Sequence, residues 1–250
     1  MEIDPLSNTC LLIHPKNEEG RTSNATGFII QLGISYYLVT NWHVVTGENP
    51  MTNKLIGFIP KEIQICYHSS SNFYEWVAKT ENLFDENGNP RWIEHPQGKK
   101  MDVILLPLKN IDKEIKIYPF DLKLQDIDII LEISMRVCIL GFPLGFCAGG
   151  NYPIWKTGHI SSEPNLNYNG TPMFLIDATT KEGMSGAPVI LRLNGGYKRM
   201  NGAYVLGGKT QNKFLGVYSG RIGAEADIGR VWKPSVINEI IEHFCLAVIK

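Results

Sequence analysis

Short runs of β-branched and aromatic residues, separated by turns, dominate the hydrophobic pattern of the chain. Residues 25–31 and 36–40 form two such runs, joined by a short loop that contains glycine, as in a β-hairpin. Further strand-like runs occupy residues 55–68, 101–108, 135–140, 154–161, 173–178, 187–193 and 214–219. Short strands with turns between them indicate an all-β barrel or sandwich rather than βαβ units.

The end of the chain carries the one convincing helical pattern. Pro234 and Ser235 form a typical helix start. Apolar residues then recur three and four positions apart, at Val236, Ile237, Ile240, Ile241 and Phe244. We therefore expect a C-terminal α-helix over residues 234–250 that packs against the strands.

Charge and hydropathy exclude several classes of function. The 24 Lys and Arg residues balance 25 Asp and Glu residues, and no basic run is longer than a pair. This balance gives no reason to expect nucleic-acid binding. No apolar run approaches the roughly 18 residues of a membrane span. The first residues, 1–6, lack the basic and apolar regions of a secretory signal, which predicts a cytoplasmic protein.

The five cysteines predict neither a disulfide framework nor a metal site. They are odd in number and widely spaced, and four of them lie in apolar runs. No pair has the C-x-x-C spacing that is typical of zinc sites. We expect buried free thiols, no metal and no cofactor.

A glycine-flanked serine is the candidate nucleophile. Ser185 lies between Gly183-Met184 and Gly186, where the backbone can turn sharply. The N–H groups of Gly183 and Ser185 are suited to meet the oxyanion that forms when a serine attacks a carbonyl. Taken alone, the segment fits a glycine-rich turn between two strands equally well.

A serine nucleophile needs a base and an orienting acid. His43 follows the strand-like run 36–40 almost at once, and Asp102 opens the apolar run 103–108. Each has an ordinary alternative: a lone histidine is more often bonded to backbone, and an aspartate at this position often caps a strand. Their order along the chain, His43, Asp102 and Ser185, strengthens all three assignments together.

With these contexts, the chain resembles the chymotrypsin-fold serine peptidases. The matching segments are Ala-Thr-Gly-Phe-Ile-Ile at 25–30, Thr-Asn-Trp-His-Val-Val at 40–45, Asp-Val-Ile-Leu-Leu at 102–106 and Gly-Met-Ser-Gly-Ala-Pro at 183–188. Residues 141–146 and 156–162 are similar to the bacterial branch that includes HtrA-type and glutamyl-specific peptidases. The resemblance implies two packed six-stranded antiparallel β-barrels, over residues 1–120 and 121–233, followed by the helix.

The same resemblance implies a serine endopeptidase that acts on polypeptides through an acyl-enzyme intermediate. Family members that mature by cleavage carry an acid directly before the serine, whereas this chain has Met184 and no recognisable activation site. Activity without zymogen cleavage is therefore expected. The alternative is a catalytically silent module of the same fold that binds a peptide or protein partner.

The resemblance also predicts the walls of the primary specificity pocket. They comprise Thr179, Thr180, Ser219, Gly220 and Arg221, with no carboxylate at the expected base. Arg221 either faces the pocket or is a solvated side chain at the end of a strand. We therefore expect poor binding of a basic substrate side chain.

Overall fold

The computed structural model describes residues 3–72, 74–223 and 225–248, so residues 1, 2, 73, 224, 249 and 250 of the predicted ranges lie outside it. The strands are β1 Cys10–Lys16, β2 Ala25–Leu32, β3 Ser35–Thr40, β4 Glu62–Ser69, β5 Trp76–Asn82, β6 Ile93–Glu94, β7 Ile104–Pro107, β8 Ile115–Lys116, β9 Arg136–Gly141, β10 Ile154–Ile160, β11 Met173–Asp177, β12 Pro188–Leu193, β13 Tyr197–Lys198, β14 Tyr204–Val205, β15 Gln211–Arg221 and β16 Ile228–Trp232. The α-helices are α1 Trp42–Thr46 and α2 Ser235–Val248.

The first half of the chain forms one antiparallel sheet of eight strands. Its order is β5-β4-β1-β2-β3-β7-β6, with β8 paired to β4. The predicted hairpin is present as β2 and β3, in which Phe28 pairs with Val39. The sheet curls around an apolar core that includes Ile13, Ile29 and Leu38. Its hydrogen-bonded path stays open, and in this respect the first half differs from a closed six-stranded barrel.

The second half closes into a six-stranded barrel, β10-β11-β16-β15-β12-β9, as predicted. Strand β16 was not expected, because Gly229 and Arg230 interrupt its apolar pattern. The structure explains the glycine, since a Cβ at Gly229 would lie 2.6 Å from the ring of Tyr218. The all-β fold is confirmed, and it is consistent with the two-barrel fold of the chymotrypsin type, in which the curled sheet is the first barrel and the closed sheet is the second.

A separate apolar cluster joins the two halves. Phe28 of β2, Phe120 of the crossing segment and Phe214 of β15 pack with tilted or edge-on rings, whose centroids are 4.8–5.9 Å apart. Helix α2 adds Val236, Ile237 and Ile240, all fully buried, to the same cluster. The predicted C-terminal helix is confirmed, and it packs against the apolar cluster that joins the two halves.

Two local predictions need correction. The run at 55–68 forms a strand only from Glu62, because Gly57 adopts a left-handed φ of 82° and Pro60 lacks a backbone donor. Residues 48–61 instead form a loop beside α1. The turn expected after β3 is a short helix, which ends at Gly47 with φ 72°.

All five cysteines are free, but only three of them are buried, so the expectation of buried thiols is wrong for the other two. Burial raises the pKa of the Cys10 thiol to about 12 and that of Cys66 to about 11. Cys147 and Cys245 are exposed. None of the described helices has the length and apolarity that a bilayer crossing requires.

Thiol accessibility tests this arrangement. Iodoacetamide should modify two cysteines of the native protein, Cys147 and Cys245, and all five after unfolding in urea. The buried thiols resist because the thiolate is the reactive form and their pKa values are raised. Melting curves with and without reductant should coincide. A melting temperature that falls in reductant would reveal a disulfide and contradict the prediction.

Candidate active site

His43 and Asp102 meet on the first barrel. Oδ2 of Asp102 lies 2.7 Å from Nδ1 of His43, and Oδ1 accepts the backbone N–H of His43 at 2.9 Å. Asp102 is only 2% exposed. Because a carboxylate accepts and does not donate, the proton of the first bond is on Nδ1, and in that neutral tautomer Nε2, which faces Ser185, is an acceptor.

Two buried side chains, neither expected in this role, hold Asp102 in place. The Ser219 hydroxyl donates to Oδ2 of Asp102 at 2.5 Å. The amide of Asn41, fully buried ahead of α1, donates to the Asp102 carbonyl at 2.6 Å. Together with the two bonds from His43, the bond from Ser219 gives the carboxylate three hydrogen bonds, which offset the cost of burying its charge.

The hydroxyl of Ser185 completes this chain of contacts from the second barrel. Its Oγ lies 3.0 Å from Nε2 of His43, within hydrogen-bond reach. Ser185 is half-buried and His43 keeps 17% of its side chain exposed, so both are open to a substrate. A serine, an imidazole and a carboxylate thus form one continuous array.

Backbone donors flank the serine. The Glu182 carbonyl accepts the N–H of Leu144 at 2.6 Å, and Leu144 adopts a left-handed φ of 55° to reach it. In a planar trans peptide the following N–H, that of Gly183, points the opposite way. No acceptor among the described residues bonds the N–H of Gly183 or of Ser185. Both donors stay available for an oxyanion.

Glycine is required on both sides of Ser185 because the loop packs tightly. Gly183 and Gly186 have φ values of 92° and 86°, in the left-handed region. A Cβ at Gly183 would lie 2.2 Å from the Phe142 carbonyl oxygen, and one at Gly186 would lie 2.1 Å from the Thr26 carbonyl oxygen. The glycines thus permit both the turn and its contact with neighbouring backbone.

Thr26 ties the serine loop to the first barrel, a role that sequence reasoning missed. Its backbone N–H donates to the Ser185 carbonyl at 2.8 Å. Its hydroxyl donates to the Gly183 carbonyl at 2.7 Å and accepts the Phe142 N–H at 3.1 Å. Thr26 is fully buried. Its place in the matching segment at 25–30 was the only signal in the sequence.

The predicted pocket walls are close to the array, but their polar groups already have partners. Thr180 and Tyr218 are both buried, and their hydroxyls bond each other. Thr179 is exposed and donates to Asp227, which also lies 3.7 Å from the Arg221 guanidinium. Ser219 faces Asp102 rather than open space, and Gly220 is half-buried beside it.

A cavity of about 550 Å³ opens directly on His43 and Ser185. Its lining includes residues of α1, of the 48–61 loop and of the segment 22–25. None of the five predicted pocket-wall residues lines it. Within the described ranges, no group of three or more His, Cys, Asp or Glu side chains could hold a metal ion.

Comparison with known proteins decides the family. The profile of the trypsin-like peptidase domain matches residues 25–195, which include His43, Asp102 and Ser185. The chain belongs to the trypsin-like peptidases. It is therefore a serine-type peptidase, and polypeptides are its substrate class. No curated protein sequence matches the chain.

Solved structures of trypsin-like proteins share the fold. An inactivated protease paralogue of the scabies mite, S-I1, has a TM-score of 0.56 at 14% identity, over 99% of this chain and 97% of that one. The thermostable serine protease AL20 from an extremophilic microorganism has a TM-score of 0.55 at 11% identity, over 96% and 98%. The protease Anisep of Arthrobacter nicotinovorans has 0.53 at 12%, over 94% of each chain. At these identities the likeness is one of fold, and the narrower HtrA-type or glutamyl-specific branch stays a prediction.

The contacts of Thr26 give a test of how the trypsin-like site is held together. Thr26→Val keeps the shape but leaves the Gly183 carbonyl and the Phe142 N–H without a partner. We expect the free energy of unfolding to fall by about 1–3 kcal/mol and kcat/KM to fall with it. Urea unfolding and hydrolysis of a peptide substrate measure the two.

Thr26→Ser is the matched control, since it retains the hydroxyl and loses only a methyl group. It should keep most of the activity that Thr26→Val loses. Wild-type kcat/KM in Thr26→Val would show that the hydroxyl does not position the serine loop.

Proposed function

We propose that this trypsin-like peptidase is an active serine endopeptidase that uses Ser185 as nucleophile, His43 as base and Asp102 as orienting acid. The observation that carries the proposal is the unbroken contact from the Ser185 hydroxyl through the His43 ring to the Asp102 carboxylate, at 3.0 and 2.7 Å. The backbone N–H groups of Gly183 and Ser185, which no acceptor among the described residues bonds, support it.

Acylation follows from this geometry. As Ser185 Oγ attacks the scissile carbonyl carbon, its proton passes to Nε2 of His43, and the carbonyl oxygen becomes an oxyanion. The N–H groups of Gly183 and Ser185 stabilise that oxyanion, while Asp102 stabilises the imidazolium. The C–N bond then breaks, and Nε2 returns the proton to the leaving amine.

Deacylation repeats the sequence with water. His43 takes a proton from a water molecule as the water oxygen attacks the acyl carbon. The C–O bond to Ser185 breaks, the serine recovers its proton from Nε2, and the carboxylic acid leaves. No further group is required for either half of the reaction.

The rival candidate is a silent module that binds a partner through the same cleft. An inactivated protease paralogue shares the fold, so the fold does not separate the two functions. The retained contact between Ser185 and His43 favours the active enzyme.

The nucleophile is tested by Ser185→Ala. We expect hydrolysis to fall by roughly 10⁴-fold or more with an unchanged melting temperature, because the three residues act as a unit. Turnover of a peptide substrate and a thermal melt measure the two. A well-folded Ser185→Ala protein with near-wild-type turnover would eliminate Ser185 as the nucleophile.

A fluorophosphonate probe extends the same test to activation. Met184 is fully buried in the apolar core of the second barrel, where it needs no charged partner. We therefore expect the intact chain to react, and mass spectrometry should find one adduct, on Ser185 of the uncleaved protein. Labelling that appears only after proteolytic nicking would show that cleavage activates the enzyme.

The residue before the scissile bond is proposed to be uncharged and small. Thr179, Thr180 and Ser219 contribute hydroxyls that have partners within the protein. The proximity of Arg221 to Asp227 favours a guanidinium held at the strand end over one turned into the pocket. A lysine side chain would lose its hydration there without a counter-charge at the base.

Peptides that differ only in that residue test the proposal. With Lys, Val, Ala or Glu before the bond, we expect kcat/KM for Lys to be about 100-fold below that for Val or Ala. Glu should also be poor, and Arg221→Ala should change this little. Fastest cleavage after Lys would overturn the pocket assignment, and a Glu preference abolished by Arg221→Ala would place the guanidinium in the pocket.

A further inference from the structure

The cavity beside Ser185 lies on the leaving-group side of the reaction. His43 must return its proton to the departing amine, so the segment after the scissile bond has to leave past His43. The cavity is lined by His43, by the next residue Val44, and by Gly47 at the end of α1. Residues 178–180 and 219–221, the expected walls for the segment before the bond, are absent from its lining.

One wall of this cavity is apolar and partly open to solvent. It consists of Val44, Ile56, Phe58 and Pro60. Ile56 is 51% exposed although it faces the cleft. Apolar surface left open next to a reaction centre is a typical mark of a binding site.

The apolar wall is held rigidly to the helix that carries His43. The Ile56 N–H donates to the Gly47 carbonyl at 2.6 Å. A Cβ at Gly47 would lie 2.0 Å from the Phe58 carbonyl oxygen, so loop and helix end are in direct backbone contact. The Lys61 N–H closes the loop onto the Lys16 carbonyl at 2.7 Å. A ligand there meets a preformed surface.

The polar part of the lining sets the charge of that ligand. It includes Thr22, Ser23, Asn24 and the exposed carboxylate of Glu182. Among the residues that the structure describes, no lysine or arginine lines the cavity. An acidic side chain would meet like charge and no cation, whereas an apolar one would cover the open face of Ile56 and Phe58.

We infer that the enzyme selects substrates with a large apolar side chain at the first or second residue after the scissile bond, bound against Val44, Ile56, Phe58 and Pro60. This inference rests on the proposed function. It assigns part of the substrate specificity to the leaving-group side, through the 48–61 loop.

Internally quenched peptides test the preference. The residues before the bond are kept constant, and each of the two positions after it carries Leu, Phe, Gly or Asp in turn. We expect kcat/KM for Leu or Phe to exceed that for Gly by about tenfold at one of the two positions, with Asp lowest. Equal rates for all four residues at both positions would overturn the inference.

Two isoleucines of one loop provide matched variants. Ile56 lines the cavity, whereas Ile59, 52% exposed, does not. Ile56→Ser should lower the Leu-to-Gly ratio by at least about threefold, and Ile59→Ser should leave it unchanged. Equal effects of the two substitutions would show that the cavity wall does not carry the preference.

Acyl transfer provides a second measurement at the same site. When an ester substrate forms the acyl-enzyme, an added amine competes with water from the leaving-group side. Leucylglycinamide and glycylleucinamide place leucine at the first and at the second position, and glycylglycinamide is the reference. One of the two leucine-containing amides should capture the acyl group about tenfold more efficiently than glycylglycinamide, and the advantage should shrink in Ile56→Ser. Equal capture of all three amides by the wild type would contradict the inference.

Fluorophosphonate labelling of the wild type separates this inference from the proposed function. A labelled enzyme without preference for either apolar residue retains the proposed function and loses the inference. An enzyme that neither reacts with the probe nor cleaves any peptide loses both.

Discussion

The contact between Thr26 and the serine loop is the constraint on which the site depends. His43 and Asp102 belong to one barrel and Ser185 to the other, so their geometry is only as good as the fit between the barrels. Thr26 fixes that fit at the site itself, with one bond from its backbone and two through its hydroxyl. The aromatic cluster around Phe28 and helix α2 also hold the two barrels together.

The acid is supported across the contact between the two barrels. Asp102 lies in the first barrel, just before β7, yet one of its hydrogen-bond donors is Ser219 of the second barrel. A buried carboxylate without these donors would be strongly destabilising, so its network also favours the native arrangement of the barrels. Stability and catalytic geometry therefore rest on the same contacts.

Helix α1 links the proposed base to the proposed recognition surface. This short helix carries His43, and its end at Gly47 anchors the loop that forms the apolar cavity wall. Any shift of the helix would move His43 and the apolar wall together. The predicted walls of the specificity pocket are held differently: Thr180 and Arg221 are bonded within the second barrel, whereas Ser219 donates to Asp102 of the first barrel.

The sequence by itself determined the alternation of short strands and turns, the terminal helix, and the three candidate site residues His43, Asp102 and Ser185. These features could be predicted because periodicity and motifs are encoded over a few neighbouring positions. Only the tertiary structure decided the roles of Thr26, Asn41, Ser219 and Leu144. Thr26 meets Gly183 across 157 residues of chain, and Ser219 meets Asp102 across 117. It also decided that residues 55–61 form a wall of the cleft rather than a strand. Such roles arise from packing between distant segments, and no local pattern records which segments will touch.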